Sequence, residues 1–146
     1  MKKNRTLMTQ INMMITDNYK HSEITRMIIG AFYKVYNTLG YGFLEKVYVN
    51  SLLIELRKMR LICEPQYQII VFYDKQEVGF YIADIIVNGC VIIEVKANET
   101  LCEANEFQLI NYLKATEIEV GLLLNFGKNP ECKRKVFSNE KNHILS

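Results

Sequence analysis

Apolar residues recur at helical spacing in two segments near the start of the chain. Between residues 21 and 40 they fall every three or four positions, which predicts an amphipathic helix. Gly40 and Gly42 are expected to end this helix and turn the chain. A second helix is predicted over residues 43–60, with an apolar stripe from Leu44 to Met59. Together the two segments predict an N-terminal helical hairpin.

The pattern changes to that of strands after residue 66. Residues 67–74 and 78–87 are rich in β-branched and aromatic side chains and are separated by a predicted turn. A third strand (90–97), a helix (101–116), a buried strand (119–127) and an edge strand (133–139) complete the prediction. This order predicts an α/β sandwich around a mixed sheet with a central β-hairpin.

Length and hydropathy define the class of protein. The 146 residues suit one domain, and residues 1–20 lack sustained periodicity. We therefore expect a flexible N-terminal extension over 1–20 and a single domain over 21–146. Apolar runs stay far below the roughly 20 residues that span a bilayer, and the polar start resembles no secretory signal. The expected protein is cytoplasmic, has no membrane partner, and is a monomer or a small oligomer such as a homodimer.

Cysteine, histidine and charge restrict the available chemistry. The four cysteines are scattered and form no CxxC pair, so no zinc site is predicted. The two histidines are far apart in the sequence, so no histidine-based centre is predicted either. Residues 1–20 carry four basic residues against one Asp, and residues 128–141 carry five against two Glu, although the net charge is only +2. The middle of the chain is therefore acidic. Basic ends around an acidic centre suit a metal site beside a polyanion, or else serve solubility alone.

Three charged residues, Asp84, Glu94 and Lys96, interrupt the apolar runs of the predicted central hairpin. Two carboxylates at one site would repel each other and would be costly to bury unless a cation compensated them. Oxygen ligands of this kind suit Mg²⁺ or Mn²⁺. The alternative is a solvent-facing side of the hairpin with an ion pair between Lys96 and either carboxylate.

The register of the hairpin decides whether these carboxylates meet. A two-residue type I′ turn at Asn88-Gly89 would set Asp84 opposite Ile93 and on the other face from Glu94. A three-residue loop, with a type I turn ending at Asn88 and a left-handed Gly89, would set Asp84 opposite Ile92 and diagonal to Glu94. We expect the longer loop, because only that register gathers both carboxylates.

Three motifs resemble those of one protein family. Asp84 followed by Glu94-Val95-Lys96 resembles the D…(D/E)xK signature of the PD-(D/E)XK nuclease superfamily, with Ala83 where the signature has Pro. The run from Gln108 to Tyr112 is similar to the QxxxY motif of RecB-like members, and the run from Gly42 to Tyr48 matches the GxxExxY motif. The resemblance extends from about Glu23 to Phe137.

The resemblance implies a restriction-endonuclease-like sandwich and a metal-dependent nuclease, with DNA as the expected substrate and Mg²⁺ or Mn²⁺ as the cofactor. It implies that Glu45, Asp84 and Glu94, with the Val95 carbonyl, hold the metal. Lys96 would orient water or stabilise developing negative charge.

Further contacts are expected around this centre. Gln108 and Tyr112 share a helix face and would bind a phosphate or orient Lys96. Glu45 and Tyr48 also share a helix face, which the resemblance turns toward the site, so Tyr48 is expected to contact nucleic acid. The alternative is a Glu that the macrodipole favours at a helix start, with Tyr48 as a packing residue. The basic run of Lys133, Arg134 and Lys135 would contact the phosphate backbone without reading sequence.

Two rival functions remain open at this stage. One is a nuclease-fold binding or regulatory module without catalysis. The other is a metal-dependent hydrolase of a small phosphorylated molecule.

Overall fold

Three helices and five strands make up residues 21–138, the part of the chain that a computed structural model describes. The predicted extension over residues 1–20 lies outside it. The helices are α1 (Ser22–Leu39), α2 (Glu45–Lys58) and α3 (Glu103–Lys114). The strands are β1 (Cys63–Tyr73), β2 (Gln76–Val87), β3 (Val91–Lys96), β4 (Val120–Phe126) and β5 (Pro130–Val136). No helix in this part of the chain is long and apolar enough to cross a membrane.

The strands form one mixed sheet in the order β1-β2-β3-β4-β5. Only β3 and β4 run parallel, because α3 crosses over between them, and the other neighbouring pairs are antiparallel. The predicted α/β sandwich around a mixed sheet is therefore confirmed. Boundaries differ most in three places: β1 begins at Cys63, the first turn lies at Asp74 and Lys75, whose φ angles are 51° and 62°, and the edge strand predicted over 133–139 is found over Pro130–Val136.

Helices cover both faces of the sheet. On one face α1 and α2 bury a cluster that includes Phe32, Leu52 and Phe126. On the other face α3 buries Leu109 and Leu113 against β3 and β4. Strand β4 is buried along its whole length, since it is covered on both sides, and its run of apolar residues reflects this position.

One part of the sheet extends beyond these layers. Strand β2 pairs with β3 only over Ile85–Val87, whereas its pairing with β1 continues to the Tyr73–Gln76 turn. Residues 67–83 therefore form a two-stranded extension, called here the β1–β2 ribbon. Its outer part carries exposed aromatic and aliphatic side chains, among them Phe72, Phe80 and Tyr81.

Candidate active site

The central hairpin has a register that neither predicted turn produces. Ile85 pairs with Ile93 and Val87 with Val91, so that Asp84 lies opposite Glu94 when the register is continued by one residue. The loop has three residues, as expected, but the predicted pairing of Asp84 with Ile92 is wrong. Directly opposite residues share a sheet face, which brings the two carboxylates even closer than the diagonal arrangement would.

Asn88 explains the loop conformation. Both Asn88 and Gly89 have positive φ, 50° and 64°, so the predicted type I turn ending at Asn88 is wrong. The Asn88 side chain accepts a hydrogen bond from the Ile62 N–H at 2.8 Å, and its own N–H donates to the Ile62 carbonyl at 2.7 Å. Asn tolerates the left-handed region better than most residues, and these two bonds hold it there.

The side chains of Asp84 and Glu94 each accept a hydrogen bond from the backbone of the other's strand, at the end of the β2–β3 ladder. The Glu94 Oε1 accepts a hydrogen bond from the Asp84 N–H at 2.9 Å, and the Asp84 Oδ2 accepts one from the Val95 N–H at 2.7 Å. Within residues 21–138 these bonds engage one oxygen of each carboxylate, and the second oxygen of each is left for a ligand.

The direction of the Val95 carbonyl follows from that of its N–H. The Val95 N–H points toward β2, because it donates to Asp84. In an extended strand the N–H and C=O of one residue point to the same side, so the carbonyl also faces Asp84, beyond the last ladder pair of β2 and β3.

Burial makes this pair electrostatically unfavourable in its ionised form. Glu94 is only 4% exposed, and burial together with the neighbouring Asp84 charge raises its pKa to about 8. Burial likewise raises the pKa of Asp84. The Lys96 ammonium acts in the opposite direction and lowers the pKa of both carboxyls, though less than burial raises it. No ion pair within 4 Å joins Lys96 to either carboxylate in the described part of the chain, contrary to the solvent-facing alternative.

Glu45 lies near the pair, and its role as a metal ligand stays a prediction. It is the exposed first residue of α2, and its charge contributes to the raised pKa of both Asp84 and Glu94. Among residues 21–138, however, no three His, Cys, Asp or Glu side chains are grouped closely enough to hold a metal. The structure thus brings Asp84 and Glu94 together and leaves Glu45 as a neighbouring negative charge.

Tyr48 has a different place from the predicted one. It is fully buried, its ring stacks on Phe126 at a centroid distance of 4.1 Å, and its hydroxyl donates to the Gly40 carbonyl at 2.7 Å. The same hydroxyl accepts a hydrogen bond from the Phe43 N–H at 3.2 Å. The expected contact of Tyr48 with nucleic acid is therefore wrong, because no surface of the side chain is accessible.

The GxxExxY motif consequently has a structural explanation. Gly42 has φ of +110°, a backbone conformation that residues with side chains rarely adopt. It lies in the turn that the Tyr48 hydroxyl holds by its hydrogen bond to the Gly40 carbonyl. The turn leads directly into α2, whose first residue is Glu45. The glycine and the tyrosine therefore fix the point from which Glu45 projects.

The two residues of the QxxxY motif lie at different depths on α3. Tyr112 is 4% exposed, and burial followed by the charges of Glu94 and Asp84 raises its pKa to about 12. Its hydroxyl is thus protonated at neutral pH and close to the carboxylates. Gln108 is half-buried and lines a surface pocket with Tyr112 and Tyr81, and no hydrogen bond joins it to Lys96 within residues 21–138.

The basic run on β5 does not form one surface. Lys133 and Lys135 both pair with Glu106 on α3, whereas Arg134 points to the other face and donates to the Thr25 hydroxyl of α1 at 3.4 Å. Successive side chains of a strand alternate in direction, so the expected common backbone contact of all three residues is wrong. Only the two lysines share the face of α3.

Sequence reasoning missed a buried polar group behind Lys96. Asn125, at the end of β4, is fully buried and pairs in register with Lys96. Its amide exchanges hydrogen bonds with the backbone of Asn98 at 2.9 and 3.0 Å and donates to Glu131 at 3.0 Å. These bonds hold the segment that follows Lys96. The signal was the single Asn in an otherwise apolar strand.

A mixed sheet between helices, with two carboxylates on a hairpin and a lysine two residues later, is typical of α/β nuclease domains. The family model of the PD-(D/E)XK nuclease superfamily matches residues 22–136, and the chain belongs to this superfamily. The restriction-endonuclease-like fold is thereby confirmed. Members of the superfamily generally use divalent metals and act on nucleic acid.

The crystal structure of the protein SSO0001 is similar to this chain, with a TM-score of 0.50 and 17% sequence identity. The match covers 85% of this chain and 64% of SSO0001, so the chain spans less than two thirds of that protein's length. At this identity the likeness bears on the fold alone. No curated protein matches the sequence.

Proposed function

We propose that this protein is a Mg²⁺- or Mn²⁺-dependent phosphodiesterase that cleaves nucleic acid, with DNA as its substrate. We also propose that it belongs with the GxxExxY and RecB-like members of its superfamily. The observation that carries the proposal is the pair of Asp84 and Glu94, a half-buried and a buried carboxyl, each with a raised pKa and each bonded to the backbone of the other's strand.

The donor set at this pair fits a hard divalent cation. The available oxygens of Asp84 and Glu94, with the Val95 carbonyl, are the ligand types that Mg²⁺ and Mn²⁺ prefer. Burial raises the pKa of both carboxyls, and the Asp84 charge raises that of Glu94 further; a cation at this point would relieve this cost. A divalent cation bound there would lower the pKa of water and neutralise charge on the phosphate oxygens. Glu45 would add favourable charge from outside the donor set.

The remaining groups would act on the phosphate and its nucleophile. Lys96 would orient the attacking water or stabilise the negative charge that develops on the phosphate. The protonated Tyr112 hydroxyl would donate a hydrogen bond to a phosphate on the α3 side. Lys133 and Lys135 remain available for backbone contact, because their surface pairs with Glu106 are weak.

Cleavage by the purified protein tests the proposal. Labelled single-stranded, duplex and branched DNA are incubated with Mg²⁺ or Mn²⁺, and we expect metal-dependent cleavage that falls steeply with salt. Lys96→Ala should reduce turnover by roughly 10²–10³-fold, the usual cost of losing one charge-stabilising group. Lys58→Ala, at the opposite end of α2 from Glu45, is the matched control and should cleave normally.

One observation favours the catalytically silent alternative. Three ligating side chains do not come together anywhere in residues 21–138. Absence of cleavage by the wild-type protein on all three substrates, with either metal, would support a nucleic-acid-binding module instead. Hydrolysis that DNA does not inhibit would indicate a small phosphorylated substrate.

A further inference from the structure

A small pocket lies beside the carboxylate pair, between α3 and the β1–β2 ribbon. Its volume is about 290 Å³, at the lower end of the roughly 300–1,000 Å³ typical of ligand sites. One stripe of α3 forms its floor, and Tyr81 of β2 forms the facing wall. The lining residues are Tyr81, Ala104, Phe107, Gln108, Asn111 and Tyr112.

The pocket adjoins the reacting centre through Tyr112. The rings of Tyr112 and Tyr81 lie 5.5 Å apart, and the charges of both Asp84 and Glu94 act on the Tyr112 hydroxyl. Tyr81 precedes Asp84 by three residues on the same strand, about 10 Å at the rise of an extended chain. A nucleotide next to a phosphate at the carboxylates would therefore place its base within reach of the pocket.

The chemistry of the lining favours a nucleobase over a phosphate. None of the lining residues in the described chain is charged, so a phosphate would gain no ion pair there. Tyr81 and Phe107 are large, flat and exposed, at 45% and 58%, and such rings stack on bases of any sequence. Gln108 and Asn111 offer amide donors and acceptors for the base edge.

The same geometry favours an unpaired base. In a duplex both faces of each base are already stacked on neighbours, whereas a single strand can turn a base toward aromatic side chains.

We propose that Tyr81 and Phe107 form a stacking subsite for one unpaired nucleobase, with Gln108 and Asn111 contacting its edge. The subsite would give the enzyme a preference for single-stranded substrate close to the cleaved phosphate. This inference rests on the proposed nuclease function and names the strand form that it acts on.

Equilibrium binding in EDTA tests the subsite without cleavage. A labelled thymidine oligonucleotide is compared with a sugar-phosphate chain of the same length that carries no bases. Tyr81→Leu should weaken binding of the intact oligonucleotide about 5- to 150-fold, the factor for stacking one base, and should leave binding of the abasic chain unchanged. Phe107→Leu should act in the same direction.

Phe80→Leu is the matched control. Phe80 adjoins Tyr81, is exposed to a similar extent at 49%, and points to the other side of the strand. It should bind both ligands as the wild type does, and thermal melting should show all three variants folded.

Three results would overturn the subsite: equal binding by Tyr81→Leu and Phe80→Leu, an equal loss on the abasic chain, or no preference of the wild type for the intact oligonucleotide. If one of these results is obtained and the protein still cleaves DNA in the metal-dependent assay, the subsite is wrong and the nuclease function is supported. Base-dependent binding without cleavage would uphold the subsite and contradict the nuclease.

Discussion

At the scale of single residues, the two central carboxylates complete the backbone hydrogen bonding of their own hairpin. The Asp84 N–H and the Val95 N–H lie where the β2–β3 ladder ends, and the side chains of Glu94 and Asp84 accept their hydrogen bonds. Buried N–H groups without partners are costly, so these carboxylates have a structural role in any functional state. Each also keeps a second oxygen, so the proposed metal would not compete with these backbone hydrogen bonds.

The stability of the metal-free protein should depend on pH through Glu94. Its pKa in the folded protein is about 8, above the ordinary value of 4.5. Between these values the folded state binds more protons than the unfolded state, so stability falls as pH rises from about 5 to about 8. Asp84, whose pKa is also raised, contributes in the same direction. Urea unfolding in EDTA across this range measures the effect.

Glu94→Gln should flatten that pH dependence, because the amide is neutral throughout and its oxygen can still accept from the Asp84 N–H. Glu64→Gln changes an exposed carboxyl of β1 and serves as the control. An unchanged slope in Glu94→Gln would show that burial of this carboxyl does not govern the pH response.

At the scale of elements, each helix layer places one group near the hairpin. The turn between α1 and α2 sets the position of Glu45, and α3 brings Tyr112 over the opposite side. Tyr48 connects the turn to the core through its ring and its hydroxyl. The position of Glu45 therefore depends on a buried residue of the same helix.

Tyr48→Phe tests this arrangement. It removes hydrogen bonds to the Gly40 carbonyl and the Phe43 N–H but keeps the stacking on Phe126. We expect a loss of about 1–3 kcal/mol in the free energy of unfolding, because two partly buried backbone groups lose their partner. Tyr41→Phe, an exposed tyrosine of the same turn, should change stability by less than about 0.5 kcal/mol.

DNA affinity separates the two roles considered for Tyr48. If Tyr48 only holds the turn in place, the folded Tyr48→Phe variant should bind DNA with normal affinity when measured well below its melting temperature. A large loss of affinity in a folded variant would instead indicate contact with the substrate.

At the scale of the whole molecule, the sequence predicted the order of elements and the acidic pair better than the details around them. Period-two and period-3.6 patterns identified the sheet and its helices, because burial of one face governs both. The register was wrong, since it depends on hydrogen bonds between Asn88 and the distant Ile62. Tyr48 and Arg134 were misplaced for a similar reason: spacing along one element cannot tell which layer a side chain meets.

Metal binding should stabilise the whole fold, and Glu94 should control this effect more than Lys96 does. A cation that binds only the native state adds about 2.7 kcal/mol at a hundredfold excess over its dissociation constant, which raises the melting temperature. Glu94→Ala removes an oxygen ligand and should abolish the shift. It also leaves the Asp84 N–H without its acceptor, so each variant is compared with its own metal-free state.

Lys96→Ala should behave in the opposite way. It removes the positive charge that lowers the pKa of both carboxyls but leaves their oxygens and the Val95 carbonyl in place, so the melting shift with Mn²⁺ should persist while turnover falls. Thermal melts of the wild type and both variants, with and without Mn²⁺, measure the difference. A full shift in Glu94→Ala would show that the metal binds elsewhere, and loss of the shift in Lys96→Ala would mean that the ammonium organises the site instead of acting on the substrate.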